Sequence, residues 1–437
     1  MKTNKALKKE SIYTYEGGKA SRITSLEELK RATMSCLLWE NEFYEDGISI
    51  AERISTLVKQ VIDNGQYNDV IELLKKVKFD MRLRHCPLWI IVSIFKAGQK
   101  VSKELISSIL TRPDDMGELI SLYNKDEKKP LPNQMKKGIA LAFEKFDEYQ
   151  LAKYNRNANY KLVDIANLCH PKVTDAIDKL IKGSLETPKT WEVMLSASGS
   201  DKEKKKLAWL DLINTNKLPD MALLKNIRGM LESGVSKEVI VNRINGISSG
   251  KLLPIDYIRA GQSNPSLENE IENKFLSTFT KEKMSGKTAI LVDVSGSMYY
   301  GGGNSDYNRI KYAYALAMIG RETFENVDIY SFSNENKLIP NRRGFALAEA
   351  IDKSQSHSGT YMWNSVEKVS SKGYDRIIVV TDEQAHDSPS NKILDNMYII
   401  NVASYERGVG YTYGTNITHI NGFSDKVFDY IYEIEGE

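Results

Sequence analysis

From residue 20 to about residue 280, apolar positions recur every three or four residues. Leu26, Leu29, Met34, Leu37 and Leu38 keep that spacing, as do the stretches 48–62 and 70–77, which predicts amphipathic helices. The breaks between them are short. DNGQYND separates two segments, and LWIIVSIFKAG runs from Pro87 to Gly98. VSKELISSIL stops at Pro113, whose ring cannot continue a helix, and Asp114 stands where it would cap DMGELISLYNK. Many short helices with short turns and no clear strands predict a helical-repeat stack of the α-solenoid type. No strict period is visible, so the repeats are expected to be degenerate.

Near residue 284 the pattern changes. TAILVDV, VDIYSFS, DRIIVVTD and MYIINVA are continuous apolar runs of strand length, as expected of parallel strands covered on both faces. They alternate with the helical stretches NRIKYAYALAMIGRETF, RRGFALAEAID, WNSVEKVSSK and SDKVFDYIYEIE, the last with Ser424 as its cap. Strands alternating with helices predict a doubly wound α/β sheet. The expected organisation is multidomain: an all-α repeat domain over 1–283 and an α/β domain over 284–437.

Composition adds bounds. The chain has 437 residues, 41% hydrophobic and 27% charged, too long for one core and ordinary for a globular protein. No apolar run approaches the length of a membrane span, and MKTNKALKKESIYTYEGG is basic without the apolar stretch of a secretion signal. A cytoplasmic location with no membrane association is the expectation. Cys36, Cys86 and Cys169 are scattered and odd in number, which suits buried thiols better than disulfides or zinc. The net charge of +2 hides an asymmetry: residues 284–437 carry 14 Lys+Arg and 20 Asp+Glu, a net of −6, which leaves +8 on residues 1–283. A basic surface on the helical part favours a polyanionic partner.

The loop leaving the first predicted strand holds Asp293, Ser295 and Ser297. A carboxylate and two hydroxyls at alternate positions converge if the loop curls, with Gly296 read as the residue that lets it turn. These are hard oxygen donors, suited to Mg²⁺, Ca²⁺ or Mn²⁺ rather than zinc. Two more donors lie at later strand or loop ends: Thr360 after Ser358-Gly359, and Asp382 closing IIVVTD. This set, DxSxS then Thr then Asp, resembles the metal-ion-dependent adhesion site of von Willebrand factor A domains. The resemblance covers about residues 284–437 and implies a Rossmann-like sheet and a Mg²⁺ ion. It further implies direct bonds from the serines and the threonine, acids acting partly through water, and one coordination position open to an acidic group. Other catalytic motifs fail. Ser285-Gly286-Lys287-Thr288 has Lys281 where a phosphate-binding loop needs Gly, and it precedes its strand. The five histidines form no Ser–His–acid pattern.

In the helical part, residues 135–172 concentrate cations, aromatics and amides. Lys145, Lys153, Arg156, Lys161 and Lys172 surround Tyr149, Tyr154 and Tyr160, with Asn155, Asn157 and Asn159 between. Lys and Arg neutralise phosphates, tyrosines stack on bases and asparagines read base edges. Helical repeats followed by the metal-site domain resemble the TROVE-domain family, of which the Ro ribonucleoprotein autoantigen is a member. The likeness is carried by Lys153-Tyr154, Arg156, Tyr160, Asp164-Ile165 and His170-Pro171, and by the opening SLEELKRATMSCLLWENEFYEDG. The family places an arginine where this chain has Asn157, and Arg156 stands one residue early.

What the resemblance implies is a non-enzymatic RNA-binding protein built as a HEAT-like helical ring with the metal-site domain attached. Lys153, Tyr154, Arg156, Asn157, Tyr160 and His170 are its expected RNA contacts. Its expected partners are structured or misfolded noncoding RNA, Y-like RNA, single-stranded 3′ ends and a 3′-to-5′ exoribonuclease. It is expected to be a monomer engaged in RNA quality control or processing. The competing expectation is a metal-dependent protein-interaction scaffold that binds no RNA.

Overall fold

The computed structural model describes residues 12–156, 158–248, 252–279, 282–300, 308–389, 396–409 and 417–436. Its chain divides into two compact units. One comprises Met1–Ile50, Leu253–Ile258 and Phe275–Glu437, and the other Ala51–Leu252 with Arg259–Lys274. The division therefore does not fall at the 283/284 boundary expected from the change in pattern. Among the described residues no helix is long and apolar enough to cross a membrane.

Among its described residues the second unit contains helices and no strand, with α-helices of 7 to 17 residues running from Gly47–Asp63 to Glu268–Leu276. Each packs on near neighbours in sequence: Tyr67–Phe79 on His85–Lys96, His85–Lys96 on Pro113–Tyr123, and Lys103–Ile109 on Asn133–Phe143. The last contact is close. A Cβ on Gly138 would lie 2.6 Å from Ile106 Cβ, so only glycine lets these two backbones approach so nearly. Ser102, Asp147, Thr174, Thr190, Asp201 and Ser236 each accept a backbone N–H in the first turn that follows them. The expected cap at Asp114 is not one. The helix Pro113–Tyr123 starts on the proline itself, and Asp115 reaches back to the N–H groups of Thr111 and Arg112 at 3.2 and 3.0 Å. Asp114 instead pairs with Arg84 and Arg112.

The first unit is built on six described strands: β1 Met284–Asp293, β2 Phe324–Phe332, β3 Asn336–Leu338, β4 Arg376–Thr381, β5 Met397–Asn401 and β6 Ile417–Asn421. Their order is β3-β2-β1-β4-β5-β6, all parallel except the edge strand β3. The pattern revealed β1, β2, β4 and β5 but not the short β3 and β6. Alternate residues serve opposite faces. Leu291, Phe332, Val379 and Ile399 pack with Met362, Trp363 and Val366 of the helix Met362–Ser370. On the other face Ile290 lies so close to Gly320 of the helix Arg309–Thr323 that no Cβ would fit there. Helices thus cover both faces, and the order reverses between β1 and β4, where such sheets bind ligands at their carboxyl ends.

Residues 12–50, expected among the helical repeats, belong to this sheet-based unit. Their helix Ser25–Met34 is closed by a capping box between Thr24 and Glu27. Thr14 Oγ1 donates to Ala385 O at 2.8 Å, Ser21 Oγ to Val409 O at 2.6 Å and Ser35 Oγ to Ala403 O at 2.9 Å. These acceptors lie in the loops that follow β4 and β5.

Candidate functional site

The carboxyl ends of the central strands bring the oxygen donors together. Asp293 ends β1 fully buried; its Oδ1 accepts from Ser295 N–H at 2.9 Å and its Oδ2 from Thr381 Oγ1 at 2.6 Å. The next residues form a single 3-10 turn, Gly296–Tyr299, which sets the Ser295 and Ser297 hydroxyls 3.4 Å apart. Gly296 does not adopt a left-handed conformation here. Its N–H donates to Ser358 O at 3.3 Å, joining this loop to the one carrying Thr360. The Thr360 backbone in turn makes two bonds to His386, its N–H donating to the ring Nδ1 at 3.0 Å and its carbonyl accepting from the His386 N–H at 2.9 Å. Asp382 follows β4, with Oδ1 accepting from Gln384 N–H at 3.2 Å. Asp293, Ser295, Ser297, Thr360 and Asp382 are all buried.

Electrostatics sharpen this picture. Burial pushes the Asp293 carboxyl above its ordinary range, and the Asp382 charge adds to the shift. Burial likewise raises Asp382, offset in part by Ser297, the Gln384 N–H and the Arg309 charge. Asp382 Oδ2 is a buried acceptor with no hydrogen-bond partner. Two buried carboxylates, an orphaned oxygen and the Ser295 and Ser297 hydroxyls fit a hard divalent cation. Among the described residues there is no cluster of three or more His, Cys, Asp or Glu side chains arranged for a metal. A cation here would therefore depend on Ser295, Ser297 and Thr360 as much as on the acids.

The amino-terminal segment stands against this centre. The Tyr44 hydroxyl donates to Glu16, and its acidity is suppressed by burial, by Glu16 and by the nearby Asp382. Glu16 Oε2 also lies 2.7 Å from His386 Nε2. Glu42 pairs with Arg309 and accepts from Ser404. Glu383, unassigned from sequence, is buried between Arg31 and His419. No motif marks these pairings, and Glu16–His386, Glu42–Arg309 and Arg31–Glu383 each join residues hundreds of positions apart.

A second candidate lies wholly within the helical unit. Tyr154, Arg156 and Tyr160 line one pocket of about 350 Å³, together with Arg84, Asp114, Glu118 and Ser121. Tyr154 ends the helix Glu148–Tyr154 with the Arg112 guanidinium 4.8 Å over its ring, and Lys153 Nζ is 5.8 Å from the same ring. The Tyr160 hydroxyl accepts from Asn124 Nδ2 at 2.9 Å. Arg84 is held by Asp115 and Asp114, each at 2.9 Å; burial opposes its charge, but these two acids outweigh burial and raise its pKa. His170 is exposed and caps the helix Leu162–Cys169 in a left-handed conformation, φ 52°; it does not line this pocket. Asn157 lies outside the described residues.

Lys145, read as a phosphate contact, has another task. Its ammonium donates to Leu110 O at 3.0 Å and to Ser107 O, satisfying carbonyls at the end of the helix Lys103–Ile109. Arg84 and Glu118 escaped the sequence reading because they come from helices far upstream of residues 135–172.

Residues 181–338 match the TROVE domain family. That match reaches from the later helices through β1 and into β3, taking in Asp293, Ser295 and Ser297 but not residues 135–172. A stretch of 130 residues is 28% identical to telomerase protein component 1 of Mus musculus, covering 28% of this chain and 5% of that protein. The rat protein of that name, from Rattus norvegicus, is 30% identical over 96 residues, or 21% of this chain and 4% of that one. The chain thus spans about a twentieth of the length of these curated relatives. Among solved structures, the Ro (Rsr) protein of Deinococcus radiodurans has a similar fold. It aligns over 92% of this chain and 97% of its own with a TM-score of 0.58 and 14% identity. The chain is thus similar to the TROVE domain family over residues 181–338, and its fold is similar to that of a Ro protein.

Proposed function

We propose that this protein is a non-enzymatic RNA-binding protein of the Ro type. It would hold structured or misfolded noncoding RNA with accessible single-stranded 3′ ends. The observation that carries the reading is the TROVE match over 181–338 on a chain whose fold follows that of a Ro protein. The cationic and aromatic lining contributed by Tyr154, Arg156, Tyr160 and Arg84 supports an RNA contact on the helical unit. Lys153 and His170 stand near it in sequence as further contacts. A HEAT-like ring, Y-like RNA, a cooperating 3′-to-5′ exoribonuclease, a monomeric state and a cytoplasmic location belong to the same proposal.

The α/β unit would be a von Willebrand factor A-like domain that binds Mg²⁺, or Ca²⁺ or Mn²⁺, through Asp293, Ser295, Ser297, Thr360 and Asp382. The cation would supply the positive charge that two buried carboxylates lack. The protein's own residues hold the three loops in register and cover the centre with Tyr44.

Crosslinking and sequencing of RNA bound in cells, with copurification from a nuclease-free lysate, tests the reading. Recovered noncoding RNA with structured bodies and free 3′ ends is the expected result. A preparation free of nucleic acid that binds no RNA at moderate salt would overturn it in favour of a protein-interaction scaffold.

A further inference from the structure

The pocket around Tyr154 is more selective than a backbone-binding groove requires. A surface that only tracks phosphates needs cations and stacking rings, and a carboxylate there would repel its ligand. Yet Glu118 lines this pocket beside Tyr154, Tyr160, Arg84 and Arg156. Asp114 is already committed to Arg84 and Arg112, and Asp115 to Arg84 and two backbone N–H groups. Glu118 is half-buried; its charge acts on His85, but it makes no hydrogen bond or ion pair among the described residues. It therefore has both oxygens available to a ligand. The volume of about 350 Å³ suits a small molecule or a single nucleotide.

We propose that this pocket takes one unpaired guanine nucleotide of a bound RNA; the inference rests on the RNA-binding reading above. Guanine alone among the four RNA bases offers two adjacent donors, N1–H and the 2-amino group, on its Watson–Crick edge. A carboxylate accepts both at once. Adenine and cytosine each set a lone pair beside their amino group, which Glu118 would repel, and uracil has a single N–H flanked by two carbonyls. The tyrosine rings supply a stacking surface. The Tyr160 hydroxyl accepts from Asn124 and keeps its own proton to donate. Arg84, fixed by two carboxylates, and the exposed Arg156 supply charge for the nucleotide's phosphates. An arginine side chain from a protein would also suit a carboxylate between tyrosines. The cations at Arg84, Arg112, Lys153 and Arg156 oppose that occupant and favour a phosphate-bearing one.

The test uses the full chain and fluorescent twelve-residue oligouridines carrying one central guanosine, adenosine or cytidine, read by anisotropy. The guanosine oligomer should bind roughly tenfold or more tightly than the adenosine one. Glu118→Gln, which turns one accepting oxygen into a donor, should bring that ratio close to one. Replacing the guanosine by inosine removes only the 2-amino group and should cost part of the preference in the unmodified protein, independent of any effect of mutation on folding. Equal binding of all oligomers by a protein that does bind them would overturn the guanine assignment and leave the RNA reading standing. A preference that survives both Glu118→Gln and inosine would also overturn it. Failure to bind any oligomer or structured RNA would sink both readings, and competition by an arginine-rich peptide alone would assign the pocket to a protein ligand instead.

Discussion

Arg31 and Glu383 form a buried ion pair between residues 352 positions apart in the chain. Their side chains are 2% and 1% exposed. Glu383 is held in a left-handed conformation, φ 63°, with its second oxygen 2.9 Å from His419 Nδ1. The pair joins the helix Ser25–Met34 to the loop after β4. Removing one partner leaves the other charge in a dry site, a loss of about 3–5 kcal/mol. Arg31→Ala should therefore lower the urea midpoint followed by circular dichroism and expose residues 12–46 to limited proteolysis. A midpoint and cleavage pattern unchanged from the parent would mean that the pair carries no such weight.

That pair also marks the limit of what sequence could tell. The spacing of Leu29 and its neighbours announces a helix, but nothing in it says whether the helix joins repeats or a sheet. β1 and β4 were legible because burial on both faces makes a strand continuously apolar. β3 has three residues and β6 half-buried polar ones, so neither leaves a run. Asp293, Ser295, Ser297, Thr360 and Asp382 were legible because strand ends order them along the chain. The pocket around Tyr154 was only half legible. Its tyrosines and Arg156 are clustered in sequence, whereas Arg84 and Glu118 reach it through helix packing. Lys145 misled because a lysine that ties off carbonyls reads the same as one that meets phosphates.

The cation proposal predicts a melting response. Mg²⁺ that binds only the folded chain at a hundred times its dissociation constant adds about 2.7 kcal/mol. The parent protein should melt higher in MgCl₂ than in EDTA. Asp293→Asn and Asp382→Asn should each abolish the difference while still folding, since each removes one of two mutually repelling charges. A parent melting temperature indifferent to both Mg²⁺ and EDTA would show that no such ion binds.

Salt dependence tests the RNA contacts. Lys153 and Arg156 would each neutralise a phosphate and release its counterion. The double variant Lys153→Ala, Arg156→Ala should weaken binding several-fold at low salt and lower the slope of log K against log salt by roughly 1 to 2. An unchanged slope in gel-shift titrations would place the phosphates elsewhere.

Two glycines should respond oppositely to the same substitution. Gly138→Ala drives a Cβ to within 2.6 Å of Ile106 Cβ and 2.7 Å of its Cγ2, and Ile106 is fully buried. Overpacking of that kind costs about 1–3 kcal/mol, which the better helix propensity of alanine only partly offsets. Gly229 lies exposed within the helix Asp220–Glu232, with nothing within 4 Å of the place a Cβ would take. Gly229→Ala should stabilise by up to about 1 kcal/mol. Thermal melts of the two variants should shift in opposite directions. Equal shifts would show that the helices slide apart around Gly138.

The closing helix Lys426–Glu435 supplies a pH-dependent contact. Arg376 of β4 donates to both Glu435 oxygens through Nε and Nη2, and Tyr398 of β5 donates to Oε1 at 2.9 Å. Burial alone would raise the Glu435 carboxyl, but the Arg376 and Tyr398 bonds outweigh it and hold the pKa below the ordinary 4.5. A folded-state pKa below the unfolded one contributes stability that is present above the unfolded value and lost as pH falls through the folded one. Glu435→Gln should therefore destabilise at pH 7 by about 2 kcal/mol, the worth of hydrogen bonds to a charged group. Its urea midpoint should converge with that of the parent as pH falls from 4.5 through the lower folded-state pKa, where the parent carboxyl becomes protonated as well. A difference that persists undiminished in acid would mean that Glu435 acts through packing rather than charge.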